Sequence, residues 1–295
     1  MSDEDVQKIE LPADDRITYG SYLKVDSLLE LQELESKPGM HDELLFIIIH
    51  QAYELWFKQI LFELDTVVER LDLDDIYEAR RLMMRVIQIE KLLVDQIHIL
   101  ETMTPRDFAS FRSVLNPASG FQSVQFREVE FVSGIKKAGV MKGIRLTDEE
   151  RARLERRLEQ PSIRDRLYAA LQRRGFDVVT PDKDGNLSEE DRERTLKGLL
   201  QIYRSPENYF HLYNLCEAAV EHDQWILMWR FHHVRVVERL IGTKRGTGGS
   251  MGVKYLASTL EKRAFPLIWQ VRGLLEDNDF YGKERGITKP DDECG

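Results

Sequence analysis

The sequence predicts an all-α fold, a large helical bundle-like domain. Three observations predict it: long apolar-rich stretches free of glycine and proline, helix-capping residues placed ahead of them, and no convincing alternation of apolar and polar residues. The chain has 295 residues, enough for a large buried core, and 42% are hydrophobic, as in globular rather than disordered sequences. Residues 1–295 are read as one domain, with a looser, highly charged helical insertion at about 135–200.

The elements follow in order. Residues 42–71 contain no glycine or proline and are apolar on most sides, too long for a strand, so they read as a deeply buried helix after a break at Gly39. Asp74 or Asp75 can cap a second long helix that runs to about Met103. Thr104-Pro105-Arg106-Asp107 is a fresh start: a Thr N-cap, proline at the first helical position and an acid at the third. That short helix is expected to end by Asn116-Pro117. Residues 146–174 are charged and helical, expected as a solvated outer layer. Ser188 heads the next helix. A long helical run covers roughly 206–241, with a break expected near His222-Asp223, and residues 256–275 form a last helix interrupted at Pro266.

Composition excludes several classes of function. With 42 basic against 52 acidic residues the formal charge is −10, so neither a nucleic-acid-binding face nor a polybasic membrane anchor is expected. The longest unbroken apolar run, residues 44–49, is far too short to span a bilayer. The first ten residues are polar and acidic, so no signal peptide is read and a cytoplasmic location is expected. Two cysteines make neither a disulfide framework nor a zinc site; Cys216 reads as a small core residue and Cys294 as part of a polar tail. The loop around Gly185 has Thr180 and Asp191 where a calcium-binding EF-hand needs an acid and a bidentate glutamate, which argues against that motif.

Seven histidines are the candidates for chemistry. His41 sits at a helix start, and His98, His211 and His222 lie in polar helical contexts, so these four read as ordinary. His232 and His233 are adjacent and diverge by about 100° on a helix, so they cannot serve the same axial metal position. Helical steps through His233 meet Ile226, Trp229, Val237 and Leu240, all apolar; steps through His232 meet Met228, Arg235 and Arg239. His233 therefore faces the core. His50 interrupts another apolar run, with Phe46 one turn before it and Glu54 one turn after. Each could be a hydrogen-bonded core residue. Two on separate buried helices also suit a haem iron held from one side, with a polar group on the open side. Arg112 shares a helix face with Phe108 and Leu115, and its guanidinium suits a carboxylate gripped by two parallel hydrogen bonds. The stretch Gly246-Thr247-Gly248-Gly249-Ser250 lacks the spacing of a P-loop or a dinucleotide fingerprint. It is either a flexible linker or a segment whose backbone approaches a ligand closely beside the Thr247 hydroxyl.

Taken together, these segments resemble the tryptophan 2,3-dioxygenase family. The resembling blocks are Thr18-Tyr19-Gly20-Ser21-Tyr22-Leu23; His41-Asp42-Glu43 with Leu45-Phe46-Ile47-Ile48-Ile49-His50-Gln51; Glu54-Leu55-Trp56; Phe111-Arg112 with Pro117-Ala118-Ser119-Gly120-Phe121-Gln122-Ser123; Trp229-Arg230-Phe231 with His233; and the glycine-rich stretch. They run from residue 18 to about 275 in the family's order, and the charged middle matches only loosely. The resemblance implies haem b, one per subunit, with His233 as axial ligand and O2 as co-substrate. It implies that both oxygen atoms enter L-tryptophan across the indole C2–C3 bond, giving N-formyl-L-kynurenine. His50 would lie near the indole nitrogen on the oxygen-binding side, as the catalytic histidine. The substrate pocket would draw on Phe46, Ile47, Ile48, Ile49, Phe108, Leu115 and Tyr19. Arg112 would bind the substrate carboxylate and Thr247 its ammonium group, with Ser119 and Gly120 over the haem. A homotetramer is implied, in which the N-terminal segment with Tyr19 and Tyr22 reaches a neighbouring subunit's site. Some members carry tyrosine where this chain has Phe108, which leaves Arg112 more of the carboxylate recognition. Two other readings remain at this point: a relative that inserts one oxygen into a substituted tryptophan, and a non-catalytic haem sensor or electron carrier.

Overall fold

A computed structural model describes residues 17–142, 144–182, 185–242, 244 and 253–276. Among these residues there is no strand, and the chain is all-α, as expected. The helices are α1 (Tyr19–Leu23), α2 (Val25–Leu29), α3 (His41–Asp72), α4 (Ile76–Leu100), α5 (Pro105–Phe111), α6 (Val124–Ser133), α7 (Asp148–Glu159), α8 (Ile163–Arg173), α9 (Glu189–Arg204), α10 (Phe210–Ile241), α11 (Val253–Ala257) and α12 (Pro266–Gln270). No helix among them is long and apolar enough to cross a membrane.

The frame is α3, α4 and α10, with α4 packed between the other two. At 32 residues each, α3 and α10 span about 48 Å. The α3–α4 connection is tight because Asp74 adopts a left-handed backbone and Asp75 caps α4 through its side chain. The core joining these helices includes Ile60, Leu64, Val67, Met83, Val86, Ile87, Leu215 and Ala219. Cys216 is buried there.

The structure corrects three expectations. The first concerns α10, which is continuous through His222-Asp223; the two polar residues are tie points, not a break. His222 is fully buried, with Nδ1 2.7 Å from Glu90 of α4 and Nε2 2.8 Å from Ser133 Oγ of α6. The Ser133 hydroxyl donates to the Val129 carbonyl, so it accepts from the Nε2–H of His222. Burial opposes a charged ring, but the Glu90 carboxylate outweighs it and raises the His222 pKa. Asp223 accepts from the backbone N–H groups of Ala264 and Phe265 and from the Trp269 indole. The second is Pro266, which starts α12 rather than interrupting a helix, because the first helical position has no N–H to lose. The third is the charged middle. Only α7 is largely solvated. Its neighbours send Ile163, Leu167, Tyr168 and Leu171 (α8) and Leu199, Ile202 and Tyr203 (α9) into the main core.

The Glu90–His222–Ser133 link ties three helices, so its loss has a large expected cost. Removing one partner of a buried ion pair typically costs about 3–5 kcal/mol. His222→Ala is expected to lower unfolding free energy in urea by about that amount, with helical circular dichroism retained at low denaturant. A loss below about 1 kcal/mol would show that the site closes over without the pair.

Candidate active site

Around one cavity of about 210 Å³ converge α3, α4, α5, α6, α10 and the segment around Leu256. Most of its wall is apolar: Phe46, Phe57, Ile97, Leu100, Phe108, Phe126, Trp229, Val236, Val237 and Leu240. Into it come His50 from α3, His233 from α10, Arg112 from the end of α5, and Ser119 and Gly120 from the turn that follows.

Each functional side chain is placed by local chemistry. On α5, Thr104 Oγ1 accepts from the Asp107 N–H, and Pro105 occupies the first turn. Fully buried Phe111 anchors the helix against Ile97, Leu100, Met103 and Val236. One helical turn apart, Phe108 and Arg112 then share the cavity wall. Phe46 meets the rings of Phe108 and Phe111, each at 5.7 Å between centroids, so the floor is aromatic.

His50 Nδ1 lies 2.7 Å from the Phe46 carbonyl, its i−4 neighbour. A carbonyl only accepts, so Nδ1 carries the proton and Nε2 of the neutral ring is a hydrogen-bond acceptor. Burial lowers the His50 pKa, against the raising effects of the Phe46 carbonyl and Glu54. His233 is stacked on Trp229, with ring centroids 5.1 Å apart and planes 17° apart. Trp229 is itself wedged against Phe126, Tyr53 and Phe57, which fixes the imidazole from behind. Burial first, then the nearby His50 and Arg127, pushes His233 down to about 4. Both rings are therefore neutral at physiological pH, and a neutral imidazole is the form that ligates a metal.

One side of the cavity holds charges that the sequence reading missed. Glu130, which is 1% exposed, pairs with Arg127 at 2.5 Å and with Arg230 at 2.6 Å. Arg230 also donates to the carbonyls of Thr259 and Lys262. Burial would raise the Glu130 pKa, but Arg127, Arg230 and Lys262 outweigh it and hold the carboxyl below its usual value. Three cations thus surround one carboxylate, and the Nε atoms of Arg127 and Arg230 are buried with no hydrogen-bond partner among the described residues. A signal did exist: Arg127 and Glu130 stand one turn apart on a helix rich in Val and Phe, and Arg230 follows Trp229.

Other expected site residues lie elsewhere in the single chain. Ile47, Ile48 and Ile49 are not among the residues that line the cavity with Phe46 and His50. Ile49 is buried in the main core and Ile48 is exposed. Leu115 packs on the α5 cluster beside Phe46 without lining the cavity. Tyr19 and Tyr22 stand outside it, 79% and 71% exposed. Thr247 and its glycine-rich stretch lie outside the described residues.

The family model described as tryptophan 2,3-dioxygenase matches residues 4–175 and 145–275. The chain belongs to the tryptophan 2,3-dioxygenase family. A relative bearing that name from Nocardioides sp. (strain ATCC BAA-499 / JS614) is 44% identical over 265 residues, covering 88% of this chain and 95% of its own. One from Herpetosiphon aurantiacus is 44% identical over 260 residues, 87% of this chain and 97% of its own. One from Bacillus anthracis is 39% identical over 260 residues, with 88% and 92% covered. In this member of the tryptophan 2,3-dioxygenase family the loosely matching middle therefore still falls within the matched residues.

Proposed function

We propose that this chain is a haem-dependent dioxygenase that adds both atoms of O2 across the indole C2–C3 bond of L-tryptophan, giving N-formyl-L-kynurenine. The observation that carries the reading is the pair of half-buried, neutral imidazoles, His50 and His233, on two helices of one apolar cavity. Family membership supports it.

The residues fit a haem. His233, neutral and braced by Trp229, would hold the haem iron. Haem b carries two propionate carboxylates, and the cation excess of Arg127, Arg230 and Lys262 over Glu130 supplies their counter-charge. The bound haem iron supplies the redox chemistry that activates O2. The protein does the rest by placement. Nε2 of His50 accepts the indole N–H and fixes which ring edge is presented; it is the catalytic residue of this site. Phe46 and Phe108 hold the indole plane and keep water out. Arg112 grips the substrate carboxylate. Ser119 and Gly120 line the same wall. Thr247 remains the candidate for the ammonium group.

Self-association as a homotetramer completes the proposal. Along α3, Leu44, Ile48, Leu55 and Phe62 repeat on one helix face and are all exposed, the pattern of an interhelical seam. Exposed Tyr19 and Tyr22 are then available to finish a neighbouring subunit's pocket.

Purified protein loaded with haem is expected to show a Soret band and a five-coordinate high-spin ferrous spectrum, and to convert tryptophan in air. A six-coordinate low-spin ferrous form with no turnover would instead favour an electron carrier. Replacing His50 with Ala or Ser is expected to slow turnover while leaving haem content normal and activity measurable, because the ring positions substrate. Complete inactivity with haem fully bound would mean that His50 is an obligatory base.

A further inference from the structure

About 100° around α10 from His233, three metal-ligating side chains meet that no part of the dioxygenase reading uses. His98 lies in the last turn of α4, Glu101 is the residue that caps that helix, and His232 comes from α10. His98 Nδ1 is 3.1 Å from Glu101 Oε2. The rings of His98 and His232 meet edge to face, 5.0 Å between centroids. One ligand atom from each residue lies within 4.8 Å of the other two. We propose that His98, Glu101 and His232 form a binding site for a divalent transition-metal ion, with zinc(II) the reference ion.

Zinc bound to histidine nitrogen and carboxylate oxygen at about 2.0–2.2 Å in a tetrahedron places its ligand atoms roughly 3.2–3.5 Å apart. The His98–Glu101 pair is already near that spacing, and a rotamer adjustment of about 1 Å or so brings in His232. Two imidazoles and one carboxylate select zinc and its neighbours; calcium and magnesium prefer oxygen ligands throughout. The C-terminus of α4 adds its negative dipole end to the carboxylate. Arg239 is the competing cation, 3.9 Å from the same Glu101 oxygen, but its side chain is 64% exposed and free to swing into solvent. The His98 side chain is 52% exposed, which leaves the open coordination side to water. Adjacent helix residues diverge, so a metal held by His232 does not compete with anything held by His233. It would clamp the end of α4 to the turn of α10 that carries His233.

The haem-loaded protein, stripped of loosely bound metal with a chelator, is to be titrated with zinc chloride by calorimetry near neutral pH. One zinc per chain is expected, with a rise in thermal midpoint. Zinc-edge X-ray absorption is expected to report two imidazole nitrogens and a carboxylate oxygen, independently of iron. His98→Ala, His232→Ala and Glu101→Gln should each weaken binding by roughly tenfold or more and abolish the thermal shift. His41→Ala, at a surface histidine that pairs with its neighbour Asp42, should leave zinc binding intact. Unchanged zinc affinity in the His98→Ala/His232→Ala double variant, or no binding below roughly millimolar zinc in the wild type, overturns the proposal.

Discussion

Arg112→Leu is expected to weaken L-tryptophan binding by roughly 30- to several-thousand-fold. The guanidinium sits at the end of α5, on a wall shared with Phe46, Phe108 and Leu100. Position 108 offers no tyrosine hydroxyl to share the substrate carboxylate. Losing one partner of a buried charge pair costs about 2–5 kcal/mol, which sets that range. Arg112→Lys should recover only part of the loss, because an ammonium cannot reproduce the planar two-bond grip. Tryptamine, which lacks the carboxylate, separates recognition from structure. It should bind the wild type poorly and lose little more in the variant, a double-mutant cycle with one change made in the ligand. Equal weakening of tryptamine and tryptophan would make Arg112 a structural residue.

His233→Ala is expected to abolish stable haem binding and nearly all activity, whereas His232→Ala keeps both. One residue separates them, yet the structure gives them opposite surroundings. His233 lies on the cavity wall, stacked on Trp229 and held neutral by burial. His232 faces His98 and Glu101 across the outer side of the helix. An alanine at 233 leaves no imidazole within the Trp229 brace, and His50 is then the one histidine in the described cavity lining. Absorbance of the haem band per mole of protein after gel filtration measures this directly. Equal haem loss in the two variants would contradict the assignment.

Local signals in the sequence were the reliable ones. The apolar run of α3 and the Thr104–Pro105–Asp107 cap announce their elements within a few residues, because burial pattern and capping act over one or two turns. The apolar stripe through His233 was legible for the same reason. What stayed hidden depends on partners far along the chain. His222-Asp223 looks like a polar interruption until Glu90, Ser133 and the start of α12 arrive from elsewhere to satisfy it. The charges of α8 conceal an apolar face that α3 and α6 bury. Glu130 gains its second partner only when Arg230 joins it from a hundred residues away. Of the block that runs from Phe46 to His50, the cavity of the single chain is lined by its two ends, and Ile47, Ile48 and Ile49 stay candidates for substrate contact by resemblance. Phe46, His50, Phe108, Arg112, Ser119, Gly120 and His233 do share one cavity, so most of the candidate site was carried by individual residues with distinct chemistry.

The most direct test of the central proposal is the isotopic composition of the product. Haem-loaded protein is to be given L-tryptophan under 18O2, and the product analysed by mass spectrometry before any hydrolysis. Both heavy oxygen atoms should appear in a ring-opened N-formyl product that keeps every carbon of the substrate. A single heavy atom in a product with the indole ring intact, or none at all, would contradict it.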